Sequence, residues 1–222
     1  MSILDRPGPD PDEVVGYGDD ADQVIEQWHA DGPLVVLLHG GFWRPEWDRA
    51  HLRTLAGALR DAGHRVALPE YRRVPGNADR MLADVRAALD VVGRGVLIGH
   101  SAGGHLALCS ADQARAVVAL APVADLVLAE ELDLDGGAVR DFLGGSAQSR
   151  PDLDPNRSAG PGVPVTVLHG TDDDRVPLAV SESYAAGRPG VRLVSLPGAD
   201  HFALIDPQSA VWPILLDELG KL

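Results

Sequence analysis

The chain has 222 residues, enough for one domain with a full core. Its net charge of −14 speaks against nucleic acid or an anionic membrane as partner, because neither surface attracts an acidic protein. Cys109 is the sole cysteine, which excludes an intrachain disulfide, and no apolar run approaches the ~18 residues of a membrane span.

Residues 1–13 are rich in Pro and Asp and lack the basic and apolar regions of a signal peptide. They read as a mobile N-terminal arm ahead of a single domain at 14–222, and a cytoplasmic location is the expectation. Residues 24–28 predict an edge strand. The continuous apolar run at 34–38 predicts a strand buried on both faces, ending in the loop His39-Gly40-Gly41-Phe42-Trp43. Leu52, Leu55, Ala56 and Leu59 recur at helical spacing within 46–62, with Gly63 as C-cap. A short strand at 66–68 and an amphipathic helix at 79–92 follow.

The stretch at 96–108 organises the rest. An apolar, β-favouring run reaches Gly99-His100-Ser101-Ala102-Gly103, and an Ala/Leu-rich helical pattern follows directly. Strand, tight turn and helix with Gly-x-Ser-x-Gly at the turn is the pattern of a nucleophile elbow, which holds a serine hydroxyl exposed at the carboxyl end of a sheet. The Ala102 N–H then sits at a helix N-terminus, where negative charge is stabilised. Cys109 falls on that helix and reads as a small packing residue.

Residues 116–120 predict another buried strand. The acidic, Gly- and Pro-rich stretch 122–162 is too long for an ordinary loop; it reads as a small cap insertion over a site, or as packing against the sheet edge. A strand at 164–169 leads into Asp172, Asp173 and Asp174, a helix runs to about 186, and a strand at 191–196 leads into the loop carrying His201. The last helix lies within 208–219, with Pro213 starting or kinking it. Strands alternating with helices predict an α/β fold with a mostly parallel central sheet flanked by helices. His39, Ser101, the 172–174 aspartates and His201 each follow a predicted strand, and ligands of such sheets lie beyond the carboxyl ends of the strands.

A serine hydroxyl needs a base, and the base needs an orienting acid. His201 is the candidate base, and three aspartates compete for the role of acid. His169-Gly170-Thr171-Asp172-Asp173-Asp174-Arg175-Val176-Pro177 resembles the His-Gly-x-x-Asp-x-x-Val-Pro stretch of α/β-hydrolases, and the resemblance selects Asp173. The His39-to-Trp43 loop, the Ser101 turn and Pro69-Glu70-Tyr71-Arg72-Arg73 resemble the kynurenine formamidase (arylformamidase) and small carboxylesterase branch of that superfamily. The resemblance implies the α/β-hydrolase fold with at most a small cap segment. It also implies a catalytic set of Ser101, Asp173 and His201, with an oxyanion hole from the N–H groups of Gly41, Phe42 and Ala102.

Phe42, Trp43, Trp47, Tyr71 and Phe202 gather near the site segments, and Phe42, Trp43 and Phe202 are the candidate substrate-binding residues. His39, His100 and His169 border glycines at strand ends and read as structural. No zinc motif, P-loop or dinucleotide fingerprint is present, so neither metal nor cofactor is expected. The expected partner is a small-molecule ester or amide, and a homodimer is left open. The alternative from another class is a non-catalytic α/β-hydrolase that binds or senses a small molecule.

Overall fold

The computed structural model describes residues 2–222; Met1, the first residue of the expected arm, lies outside the described residues. The strands are β1 (Glu13–Gly16), β2 (Val24–Trp28), β3 (Leu34–Leu38), β4 (Arg65–Pro69), β5 (Val96–His100), β6 (Ala116–Leu120), β7 (Val165–Gly170) and β8 (Val191–Leu196). The helices are α1 (Arg53–Asp61), α2 (Ala78–Val92), α3 (Ala102–Cys109), α4 (Leu126–Glu131), α5 (Ala138–Leu143), α6 (Leu178–Ala185) and α7 (Trp212–Leu219). All strands join one sheet in the order β1-β2-β4-β3-β5-β6-β7-β8. The β1/β2 and β2/β4 pairs are antiparallel, and every pair from β4 to β8 is parallel.

The pleat of the central strands explains the two-sided core. Val36 and Leu38 of β3 face a cluster with Met81, Val85 and Leu89 of α2 and Leu106 of α3. Val35 and Leu37 face the other cluster, with Leu55 and Leu59 of α1 and Leu215 of α7. Alternate residues of one strand thus feed opposite layers, which is why β3 is apolar without interruption.

Three expectations change. The strand expected at the edge, β2, is covered by β1, whose register runs from Glu13 opposite Gln27 to Gly16 opposite Val24. β1 is largely solvent-exposed and has no apolar alternation to betray it. The segment expected as a mobile arm is docked on the body. Ile3 is buried, and Arg6 donates to both carboxylate oxygens of Asp206 at 2.6 and 3.0 Å. The helix expected from residue 46 opens instead with a 3-10 turn at Arg49–Leu52, capped by Asp48, before α1 begins.

Residues 122–162 hold α4, α5 and three 3-10 turns. They pack over α2 and α3: a ring nitrogen of His105, Nε2, lies 2.8 Å from Leu153 O, and Arg150 pairs with Asp79 at 2.6 Å. Among the described residues no helix is long and apolar enough to cross a membrane.

Candidate active site

The turn between β5 and α3 holds Ser101 at φ 56° and ψ −119°, a left-handed conformation that is strained for a residue with a Cβ. Backbone bonds hold it there: Ser101 N donates to Leu120 O at 2.8 Å, and His105 N donates to Ser101 O at 3.1 Å. The glycines let the elements close. A Cβ on Gly103 would collide with the carbonyl oxygens of Leu38 and His39, so at this point β3 and α3 meet backbone to backbone.

Asp173 follows β7. Its Oδ1 accepts from the N–H groups of Arg175 and Val176 at 2.9 and 2.8 Å, and its Oδ2 lies 2.7 Å from His201 Nδ1. Its side chain is fully buried. Burial alone would raise its pKa, but hydrogen bonding and charge from His169 and His201, with the Val176 N–H, hold it well below the usual carboxylate range. Of the three aspartates, only Asp173 pairs with His201; Asp174 is exposed beside Arg175, and Asp172 accepts from the Thr171 hydroxyl. Asp200 closes a turn through the N–H groups of Phe202 and Ala203.

Ser101 and His201 line one cavity of about 90 Å³ together with Gly41, Phe42, Trp47, His51, His100 and Phe202. Leu4, Asp135 and Arg175 complete its lining. No hydrogen bond joins Ser101 Oγ to His201 among the described residues; such bonds are often long in unliganded hydrolases and tighten with substrate.

The oxyanion candidates lie in the loop after β3 and at the head of α3. Gly41 has φ +108° and Phe42 φ +48°, and neither N–H donates to a described backbone acceptor. Ala102 opens α3, so its N–H has no intrahelical acceptor. A buried network braces this loop. His39 Nε2 lies 2.9 Å from Glu70 Oε1, its ring stacks on Tyr71 at 4.3 Å, and the Tyr71 hydroxyl donates to His39 O at 2.6 Å. Glu70 also accepts from the Tyr71 and Arg49 N–H groups and pairs with Arg73. The other two histidines expected as structural are also bonded into the fold. His100 Nε2 lies 3.1 Å from His201 O, and His169 bonds Ser181 Oγ and Val176 O at 2.7 and 2.8 Å.

Phe42 and Phe202 reach the cavity as expected, but Trp43 does not. Its φ of +58° turns the indole inward, where it stacks on Phe142 at 4.4 Å and is 3% exposed. Trp47 lines the cavity instead. Trp47 was legible only as an aromatic near the site, and no sequence pattern marked Leu4, His51, Asp135 or Arg175. Cys109 fits its reading as a packing residue: burial pushes its thiol up to about 12.

No curated protein sequence matches the chain. Among solved structures, esterase B from Lactobacillus rhamnosis, inhibited by a C4-C4 sn3 tributyrin phosphonate, superposes with a TM-score of 0.78 at 19% identity, covering 96% of this chain and 86% of that one. Propionate-bound esterase 2 from Thermogutta terrifontis superposes with a TM-score of 0.72 at 22% identity, covering 94% of this chain and 92% of that one. At these identities the likeness speaks for the fold. A sequence model described as "Alpha/beta hydrolase family" matches residues 35–156, more than half of the chain, from β3 through the Ser101 turn into the 3-10 turns after α5. With its sheet order and the strained serine between β5 and α3, the chain belongs to the alpha/beta hydrolase family.

Proposed function

We propose that this protein is a serine hydrolase that cleaves a small carboxylic ester through an acyl-enzyme. The observation that carries the reading is the cavity shared by strained Ser101 and by His201, whose far nitrogen is held by Asp173. In this reading His201 takes the Ser101 proton as Oγ attacks the carbonyl carbon. Asp173 keeps the ring in the tautomer that presents a basic nitrogen and stabilises the imidazolium that forms. The N–H groups of Gly41, Phe42 and Ala102 receive the oxyanion. His201 then protonates the leaving alcohol, and water, deprotonated by the same histidine, releases the acid.

The cavity limits the acyl group. About 90 Å³ is well below the ~300 Å³ at which drug-sized pockets begin. Short acyl groups fit that space, in keeping with the propionate and tributyrin phosphonate held by the similar esterases. The same small cavity, with the resemblance of the His39-to-Trp43 loop, supports a second reading, arylformamidase activity on an N-formyl aryl amine.

The test is turnover of p-nitrophenyl acetate, p-nitrophenyl butyrate and N-formylkynurenine by wild type and Ser101→Ala. Loss of the nucleophile should lower kcat by on the order of 10⁶, the scale known for a serine protease. Ester cleavage without deformylation selects the carboxylesterase, and dominant deformylation selects the formamidase. No turnover above Ser101→Ala, with no labelling of Ser101 by a fluorophosphonate, would leave a binding or sensing protein.

A further inference from the structure

Ser101 and His201 follow strands that do not touch. The sheet runs β5-β6-β7-β8, so the loop after β8 must reach across the ends of two strands to bring its histidine to the Ser101 turn. Most of that loop's outward bonds lead to the segment after β7. Thr171 N donates to Leu196 O at 3.0 Å, Asp172 N donates to Ala199 O at 3.1 Å, and His201 Nδ1 meets Asp173 Oδ2 at 2.7 Å. Among the described residues, a single hydrogen bond ties the loop to the end of β5: His100 Nε2, on the residue next to Ser101, lies 3.1 Å from His201 O.

That bond runs one way. A carbonyl oxygen only accepts, so His100 Nε2 carries the proton. Burial, and after it the charge of His201, lowers the pKa of His100 well below the ordinary histidine value, so the ring is neutral and Nδ1 is a bare acceptor. Nδ1 is buried and bonds nothing among the described residues, which leaves the Nε2 bond to orient the ring. The ring also fills the space between the two loops. Its centroid lies 4.5 Å from that of His201, and a Cβ on Gly40 would sit 3.2 Å from Nδ1 and 3.0 Å from Ser101 Cβ. Neutrality suits this place, because a second cation would repel the imidazolium that His201 becomes during the reaction.

We infer that His100 is a positioning residue, which sets the distance from His201 to Ser101 by donating a hydrogen bond to the His201 carbonyl. In this role, which rests on the serine-hydrolase reading above, the base is fixed at two points. Asp173 holds its ring and His100 holds its main chain, and together they aim Nε2 at the serine. The demand on that aim is steep, since a misplacement of about 1 Å can cost about 10²-fold in rate.

The experiment measures p-nitrophenyl acetate turnover and the rate of Ser101 labelling by a fluorophosphonate in wild type, His100→Leu, His100→Asn and His100→Gln. Leu fills the space without a donor. The Asn amide nitrogen stands in for Nδ1 and falls short of the carbonyl, whereas the Gln amide nitrogen stands in for Nε2 and reaches it. Per folded molecule, kcat in the Leu and Asn variants should fall by about 10²-fold, with labelling slowed in parallel. KM should change little, because acylation and deacylation both use His201. The Gln variant should recover at least about tenfold of the loss.

Unchanged kcat per folded molecule in the Leu and Asn variants overturns the inference, as does a Gln variant no faster than Asn. Should Leu fail to fold, the Asn and Gln pair gives the same comparison; failure of all three to fold assigns His100 to stability alone and overturns it too. If wild type cleaves no ester and its Ser101 stays unlabelled, the failure belongs to the hydrolase reading. Amide exchange at Phe202 and Ala203, both bonded to Asp200, then reads the tie directly. Exchange at least about tenfold faster in Asn than in Gln supports the tie to His201, and equal exchange overturns it.

Discussion

Glu70 is a residue outside the candidate reactive set that braces the loop beside it. It is completely buried, and its carboxylate gathers His39, Arg73 and the N–H groups of Tyr71 and Arg49 around the base of the His39-to-Trp43 loop. Burial works against the charge, yet the His39 hydrogen bond and the charges of His39 and Arg73 bring its pKa down to about 2. Glu70→Gln preserves the size of the side chain but leaves buried cationic partners uncompensated. The oxyanion donors should shift while the cavity wall stays in place. We expect kcat for p-nitrophenyl acetate to fall on the order of 10²-fold with KM nearly constant, measured on protein shown to be folded. A purely structural role would lower the folded fraction and leave kcat per folded molecule unchanged.

At the scale of elements, the decisive contact is backbone against backbone. β3 and α3 meet at Gly103, where any side chain would strike the carbonyl oxygens of Leu38 and His39. Both oxygens stand at the root of the loop that carries the candidate oxyanion donors, so stability and geometry are coupled there. Gly103→Ala should destabilise the fold by about 1–3 kcal/mol, the usual cost of overpacking, read from the midpoint of urea unfolding at unchanged m. The surviving folded protein should also turn over more slowly, because separating β3 from α3 moves Gly40 and Gly41 away from Ser101. The same logic explains Ser101 itself: its positive φ is kept by bonds to β6 and α3 and not by its own preference.

For the whole molecule, the buried titrating groups set the response to acid. Burial depresses His51 and His105, each to about 4, so the unfolded chain binds protons that the folded chain refuses from about pH 6.5 downward. Asp173 and Glu70 are depressed as well, and their contribution is complete above the ordinary carboxylate range near pH 4 and is lost below it. These four shifts have the same sign, and only Asp154 among the buried carboxylates, raised by burial, works against them. The unfolding free energy should therefore decline from about pH 6.5 and fall more steeply below about pH 4, followed by urea titrations from pH 7 to 2.5. Asp173→Asn should flatten the part below pH 4 and leave the decline between pH 6.5 and 4 in place. An unfolding free energy that rises on acidification would overturn this ledger of signs.

The readable features of this chain are those written in neighbouring residues. Continuous apolar runs mark β3 and β6, and shorter ones open β5 and β7, because a strand covered on both faces needs them. The Ser101 turn is legible because its glycines answer a steric demand within five residues. The pairing of His201 with Asp173 in preference to its neighbours follows a motif, and the geometry agrees. What the motifs could not say depends on distant parts of the chain meeting. β1 carries no alternation, so only its pairing with β2 reveals that it forms the edge. Trp43 and Trp47 are equivalent aromatics in sequence; a left-handed backbone at residue 43 turns one into the core and leaves the other at the cavity. Leu4, Asp135 and Arg175 reach one cavity from three remote segments, Leu4 from a segment docked in part by the Arg6–Asp206 pair. Local patterns determined the elements and the candidate reactive set, whereas packing over long chain separations decided the walls, and thereby the size, of the space around the serine.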